Sequence, residues 1–160
     1  MNGGIDSIRV TFLGLIRAVV YSKWSMVDII RNSGSMKFAL IAHDNKKADM
    51  VAFVTKRLDF FNREDVDIVA TGTTAKHCEH AGIEKVEKVA SGPVGGDAEI
   101  ASMVVRGEIT AVIFMRDPLD KHPHDVDIAM LMRVCDVHNI PLATNYKTAS
   151  ILVKWFKINS

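Results

Sequence analysis

Thr110–Met115 reads TAVIFM. A nearly unbroken apolar run this short, rich in β-branched and aromatic residues, is the mark of a strand covered on both faces. On its amino side, Asp97–Arg106 has helical spacing and stops at Gly107. On its carboxyl side, Asp125–His138 places Ile128, Leu131, Met132 and Cys135 at i, i+3, i+4 and i+7, the stripe of a helix with one buried face. The same alternation spreads outward. Lys37–Ala42 (KFALIA) reads as a strand, and 47–61 as a helix with Met50, Phe53, Val54 and Phe61 in phase. Asp67–Ala70 (DIVA) is a strand, followed by a short helix over Thr74–His80 that ends at Gly82. Lys85–Ala90 (KVEKVA) alternates as a more exposed strand; Pro141–Thr144 and Thr148–Phe156 supply the last strand and helix. Strand then helix, five times over, predicts an α/β fold. We expect a single doubly wound domain: a mostly parallel five-stranded sheet with helices on both faces.

The 160 residues suit one domain. Twenty Lys+Arg against nineteen Asp+Glu leave a net charge of +1, with no basic stripe, which argues against a nucleic-acid partner. Cys78 and Cys135 are the two cysteines, too few for a disulfide framework, and both fall in helical segments. Buried reduced thiols and a cytoplasmic location are expected. Val10–Tyr21 (VTFLGLIRAVVY) is apolar but broken by Arg17, and shorter than the roughly 20 residues of a membrane span. No small-x-small cleavage site follows it, so neither a membrane anchor nor a signal peptide is expected. Asn32-Ser33-Gly34-Ser35 reads as a joint. Residues 1–35 are therefore expected to be an N-terminal extension outside the fold, and 36–160 the folded domain.

Open parallel sheets bind ligands beyond the carboxyl ends of their strands. The unusual residues of this chain collect there. The first strand runs into His43-Asp44, the second into Thr71-Gly72-Thr73-Thr74, the third into Ser91-Gly92-Pro93-Val94-Gly95-Gly96-Asp97, and the fourth into Asp117-Pro118, with His122, His124 and Asp127 beyond. Threonine hydroxyls and a glycine turn at a helix N-terminus suit an anion such as a phosphate monoester, and Ser91-Gly92 repeats the device. The plainer reading is a turn capped by Thr73 or Thr74. Asp97 reads either as a helix cap or as a general base held over a substrate. His43 is a second candidate for proton chemistry, and Asp117 a residue that orients it or His124. No histidine pair at i, i+4 fixes a metal geometry, and His77 and His80 read as a solvated helix face.

In order and spacing, these segments resemble the methylglyoxal synthase family: Ala42-His43-Asp44, Thr71–Thr74, Ser91-Gly92-Pro93-x-Gly95-Gly96-Asp97, Asp117-Pro118-Leu119, Pro123-His124-Asp125-x-Asp127 and Pro141–Asn145. The resemblance spans about Lys37 to Phe156. It implies a methylglyoxal synthase-like fold and a lyase that converts dihydroxyacetone phosphate to methylglyoxal and inorganic phosphate. It implies Asp97 as the proton donor and acceptor, with His43, His124 and Asp127 sharing the catalytic network. His43, Lys47, Thr71, Gly72, Thr73, Thr74, Ser91, Gly92 and His124 would bind substrate, with Asp44 and Asp117 in support. A cytoplasmic homohexamer inhibited by phosphate, with no metal or organic cofactor and no nucleic-acid or membrane partner, is the further implication. Residues 1–35 have no counterpart in the family pattern. The runner-up is a regulatory module of the same fold that binds phosphate or a small ligand without catalysis. An isomerase that forms the same enediolate is a third reading.

Overall fold

The computed structural model describes residues 34–119 and 125–160. The apolar run 10–21, residues 32 and 33 of the joint, and the loop histidines His122 and His124 lie outside them. The described elements are β1 (Met36–Ala42), a 3-10 turn (Asp44–Lys46), α1 (Lys47–Thr55), α2 (Leu58–Phe61), β2 (Val66–Thr71), α3 (Gly72–His80), β3 (Glu87–Val89), a second 3-10 turn (Gly92–Val94), α4 (Gly96–Val105), β4 (Ala111–Met115), α5 (Asp125–Val137), β5 (Leu142–Ala143) and α6 (Tyr146–Asn159). Every ladder is parallel, in the order β3-β2-β1-β4-β5. The doubly wound α/β architecture expected of the alternation is the one observed.

β1 is the central strand, and its side chains divide the core by their period of two. Phe38 meets Phe60 and Phe61 of α2 and Phe156 of α6 edge to face, with ring centroids 5.4, 6.3 and 5.1 Å away. Ala39 and Ile41 point to the other face, into a cluster with Val112 and Phe114 of β4, Ile100 and Val104 of α4, and Leu131 and Cys135 of α5. Both faces of the sheet are thus covered, which is why β4 is buried along its whole length. Cys78 and Cys135 are buried free thiols. Desolvation pushes Cys78 up to about 12 and Cys135 up to about 11, so both remain protonated near neutrality. Among the described residues, no helix is long and apolar enough to cross a membrane.

The helical pattern read over 47–61 is two helices. Arg57 breaks it: its guanidinium turns back to donate to the Phe53 carbonyl at 2.8 Å and lies over the Phe53 ring, while its backbone leaves the helical region. The third strand is only Glu87–Val89, paired on one side to β2, because an edge strand has one neighbour to hold it. The last helix starts two residues earlier than its apolar pattern, at Tyr146, because Asn145 accepts the Thr148 N–H and caps it.

Phe38 has no exposed surface and joins three rings from two helices. Phe38→Ala is expected to lower the unfolding free energy by about 3–5 kcal/mol. A lower urea midpoint at an unchanged slope would register it.

Candidate active site

The strand order turns back at β1: β2 and β3 lie to one side of it, β4 and β5 to the other. A crevice opens at such a reversal, above the carboxyl ends of the strands. Beside it, above the carboxyl ends of β1, β2 and β3, lies a cleft of about 490 Å³.

His43 is the first residue beyond β1. Its N–H donates to the Met115 carbonyl of the neighbouring strand at 3.1 Å, which fixes its backbone to the sheet. Its ring is buried, edge-on to Phe114 at 5.0 Å. The Asp117 backbone N–H donates to Nδ1 at 2.9 Å. A donor aimed at Nδ1 leaves that nitrogen unprotonated, so the proton of the neutral ring sits on Nε2.

The threonine turn supplies no side-chain cap and does something else. The N-cap of α3 is Thr71, and no side chain caps this helix. Thr74 Oγ1 instead takes the Ala42 N–H at 3.3 Å and lies 3.4 Å from Thr71 Oγ1, which ties the turn to the end of β1. Thr73 is exposed to the cleft, and its hydroxyl accepts a hydrogen bond from Lys47 Nζ. Lys47 opens α1 and also pairs with Asp44 Oδ1 at 2.5 Å. The lysine side chain is 15% exposed, so its cation is held against the threonine turn rather than spread into solvent.

The Ser91 turn lies directly beside it. The Gly72 N–H donates to the Ala90 carbonyl at 3.2 Å. A Cβ on Gly72 would come within 2.7 Å of the Ser91 Cβ, at a backbone φ of +25°. Only glycine allows this approach. Asp97 then follows as the second residue of α4. Gly95 is the N-cap, so Asp97 does not cap the helix; it is completely buried and faces the cleft.

His43, Asp44, Lys47, Thr71, Thr73, Thr74, Ser91, Gly92 and Asp97 therefore line one cavity. Gly72 lies behind its wall, and Asp117 behind His43. Asp127 is half-buried in the first turn of α5 and does not line the cleft. His124 lies outside the described residues. His77 and His80 turn back onto the carbonyls of Thr73 and Lys76, at 2.9 and 2.6 Å, while Cys78 between them is buried; the three share no face. Among the described residues, no group of three His, Cys, Asp or Glu side chains is placed to hold a metal.

Two residues went unnoticed in the sequence. Asn45 lines the cleft and donates to Asp117 Oδ2 at 3.0 Å. Glu99 accepts the Ala90 N–H at 3.1 Å, holding the Ser91 turn against α4. An acid in a first helical turn is a hint for Glu99; Asn45 offers none, because its partner is 72 residues away.

Fold and cleft together define a doubly wound α/β domain with a pocket beside its switch point, at the carboxyl ends of β1, β2 and β3, walled by two glycine-hinged turns. The MGS-like domain family matches residues 45–144, and the chain belongs to that family. The chain is 52% identical over 120 residues to a methylglyoxal synthase of Carboxydothermus hydrogenoformans, covering 74% of this chain and 97% of the relative. A methylglyoxal synthase of Thermus thermophilus is 47% identical over 119 residues, covering 74% and 93%. The crystal structure of methylglyoxal synthase from Elizabethkingia anophelis superimposes with a TM-score of 0.68 at 38% identity, over 75% of this chain and 78% of that one.

Gly96 carries the approach of α4 to the Ser91 turn: a Cβ there would stand 2.0 Å from the Ala90 carbonyl oxygen. Backbone has to move to admit it. Gly96→Ala is expected to cost about 1–3 kcal/mol, read as a lowered urea midpoint. A midpoint equal to the parent's would refute the close approach.

Proposed function

We propose that this chain is a carbon–oxygen lyase that converts dihydroxyacetone phosphate to methylglyoxal and inorganic phosphate. The observation that carries this reading is a fully buried carboxylate, Asp97, set in one cleft with the threonine turn and Lys47. The phosphate group fits the Thr73 hydroxyl, the first N–H groups of α3 after Gly72 and the Ser91-Gly92 turn, with Thr71, Gly72 and Thr74 shaping that turn and Lys47 as a point charge. That leaves the hydroxymethyl carbon for Asp97, away from the bulk water that would compete for its proton.

Asp97 takes a proton from that carbon, and the electron pair moves into the carbonyl to form an enediolate. The Nε2–H of His43 donates to the developing oxyanion, with His124 as a second donor carried over from the family pattern. The enediolate pair then breaks the C–O bond to phosphate. The enol that remains takes a proton on its methylene carbon and becomes methylglyoxal. No step calls for a metal or an organic cofactor. Asp44 holds Lys47, Asp117 holds His43, and Asp127 supports the acid–base network. A phosphate-sensitive homohexamer in the cytoplasm, with residues 36–160 as the catalytic domain, completes the proposal. A non-catalytic binding module needs the threonine turn but has no use for a buried carboxylate facing it.

Purified protein given dihydroxyacetone phosphate should release methylglyoxal and phosphate in equal amounts, with no glyceraldehyde phosphate. Asp97→Asn keeps the shape but cannot accept the proton. Its kcat should fall at least about 10²-fold, with KM largely retained; near-normal turnover would remove Asp97 from the chemistry. A protein beginning at Met36 should match the full chain in kcat and assembly, as measured by initial rates and sedimentation. A large loss in either would place residues 1–35 in the working fold.

A further inference from the structure

We propose that Asn45 is a positioning residue: through the Asp117 turn it holds the ring of His43 in the orientation and tautomer that catalysis uses. The inference rests on the lyase reading for its kinetic arm and on geometry for the rest. Asn45 lies in the 3-10 turn after β1, and Asp117 in the loop after β4, the two central strands of the sheet at the cleft. The Asp117 carboxylate is gripped from two directions. Its Oδ1 accepts the Leu119 N–H at 3.1 Å, a bond within its own loop. Its Oδ2 accepts from Asn45 Nδ2 at 3.0 Å, a bond between side chains that ties this loop to the one after β1. The main-chain N–H of the same residue donates to His43 Nδ1 at 2.9 Å.

Removing the amide of Asn45 takes away the carboxylate's bond to the loop after β1, while its bond to the Leu119 N–H within its own loop stays. The Asp117 peptide is then freer to move relative to β1. His43 keeps its backbone anchor to Met115, because that bond belongs to the sheet. What loosens is the ring's donor at Nδ1, and with it the placement of the Nε2 proton. The phosphate cradle is built from other residues on β2 and β3, and Lys47 is held by Asp44 and Thr73. Asn45 therefore bears on turnover and not on anion binding.

Two substitutions separate a donor from a spacer. Asn45→Ala removes the amide. Asn45→Asp keeps its size but faces the Asp117 carboxylate with a second acceptor of the same charge. Asn45 is exposed, so both variants are expected to fold. Each is measured for kcat, for KM of dihydroxyacetone phosphate and for inhibition by inorganic phosphate. The His43 tautomer is read separately from long-range proton–nitrogen correlation spectra of protein with 15N-labelled histidine. In the parent, His43 should show a protonated Nε2 and an unprotonated Nδ1. Both variants should lose about tenfold in kcat, keep KM and phosphate inhibition within about twofold, and show His43 averaging between tautomers, with the aspartate variant at least as impaired as the alanine one. Parent-like kcat, loss of phosphate affinity in step with kcat, an aspartate variant that behaves like the parent, or an unchanged His43 spectrum would each overturn the assignment. A parent that makes no methylglyoxal would overturn the proposed function instead, and the spectra of parent and variants would still decide the role of Asn45.

Discussion

The cleft depends on backbone meeting backbone without side chains between. The Gly72 N–H reaches the Ala90 carbonyl, and Gly96 lies against the same carbonyl. One residue, Ala90, the first past the edge strand, is thus the pivot on which the threonine turn, the Ser91 turn and the start of α4 converge. Its N–H is taken by Glu99. Because β3 is short and paired on one side only, its own ladder gives it little rigidity. The glycine contacts and the Glu99 bond supply what the ladder does not, and they set the depth at which Asp97 faces the cleft.

The other wall is held differently. His43, Thr74 and Asp117 connect the ends of β1, β2 and β4 through hydrogen bonds of side chain to backbone. The central strands are buried, packed by a cluster of phenylalanines on one face and by mostly aliphatic side chains with Phe114 on the other, so their ends do not drift. A site whose parts come from the ends of rigid strands keeps its geometry while its loops vary.

The apolar strands made the fold legible, because a parallel strand covered on both faces writes its burial directly into the sequence. β4 and the stripe of α5 were readable for that reason. The break at Arg57 was not, since it arises from a guanidinium that finds a carbonyl and a ring in space. The cleft residues were readable as a group because glycines, threonines and histidines gather where the apolar strands end, at the carboxyl edge. Sequence alone left Asp97 between cap and base; only the placement of Gly95 at the N-cap and the burial of Asp97 distinguish the two. Asn45 was hidden because its meaning lies in a partner on a distant strand.

The two cysteines have a chemical consequence. Methylglyoxal, the proposed product, is an electrophile that captures thiolates and guanidinium groups. No cysteine or arginine is among the described residues that line the cleft. Cys78 and Cys135 lie buried with their thiols pushed up to about 12 and about 11, which leaves very little thiolate to react. Lys47, the one amine among the described residues that line the cleft, is engaged by a carboxylate and a hydroxyl. The fold thereby shields its cysteines from modification by the compound it is proposed to release.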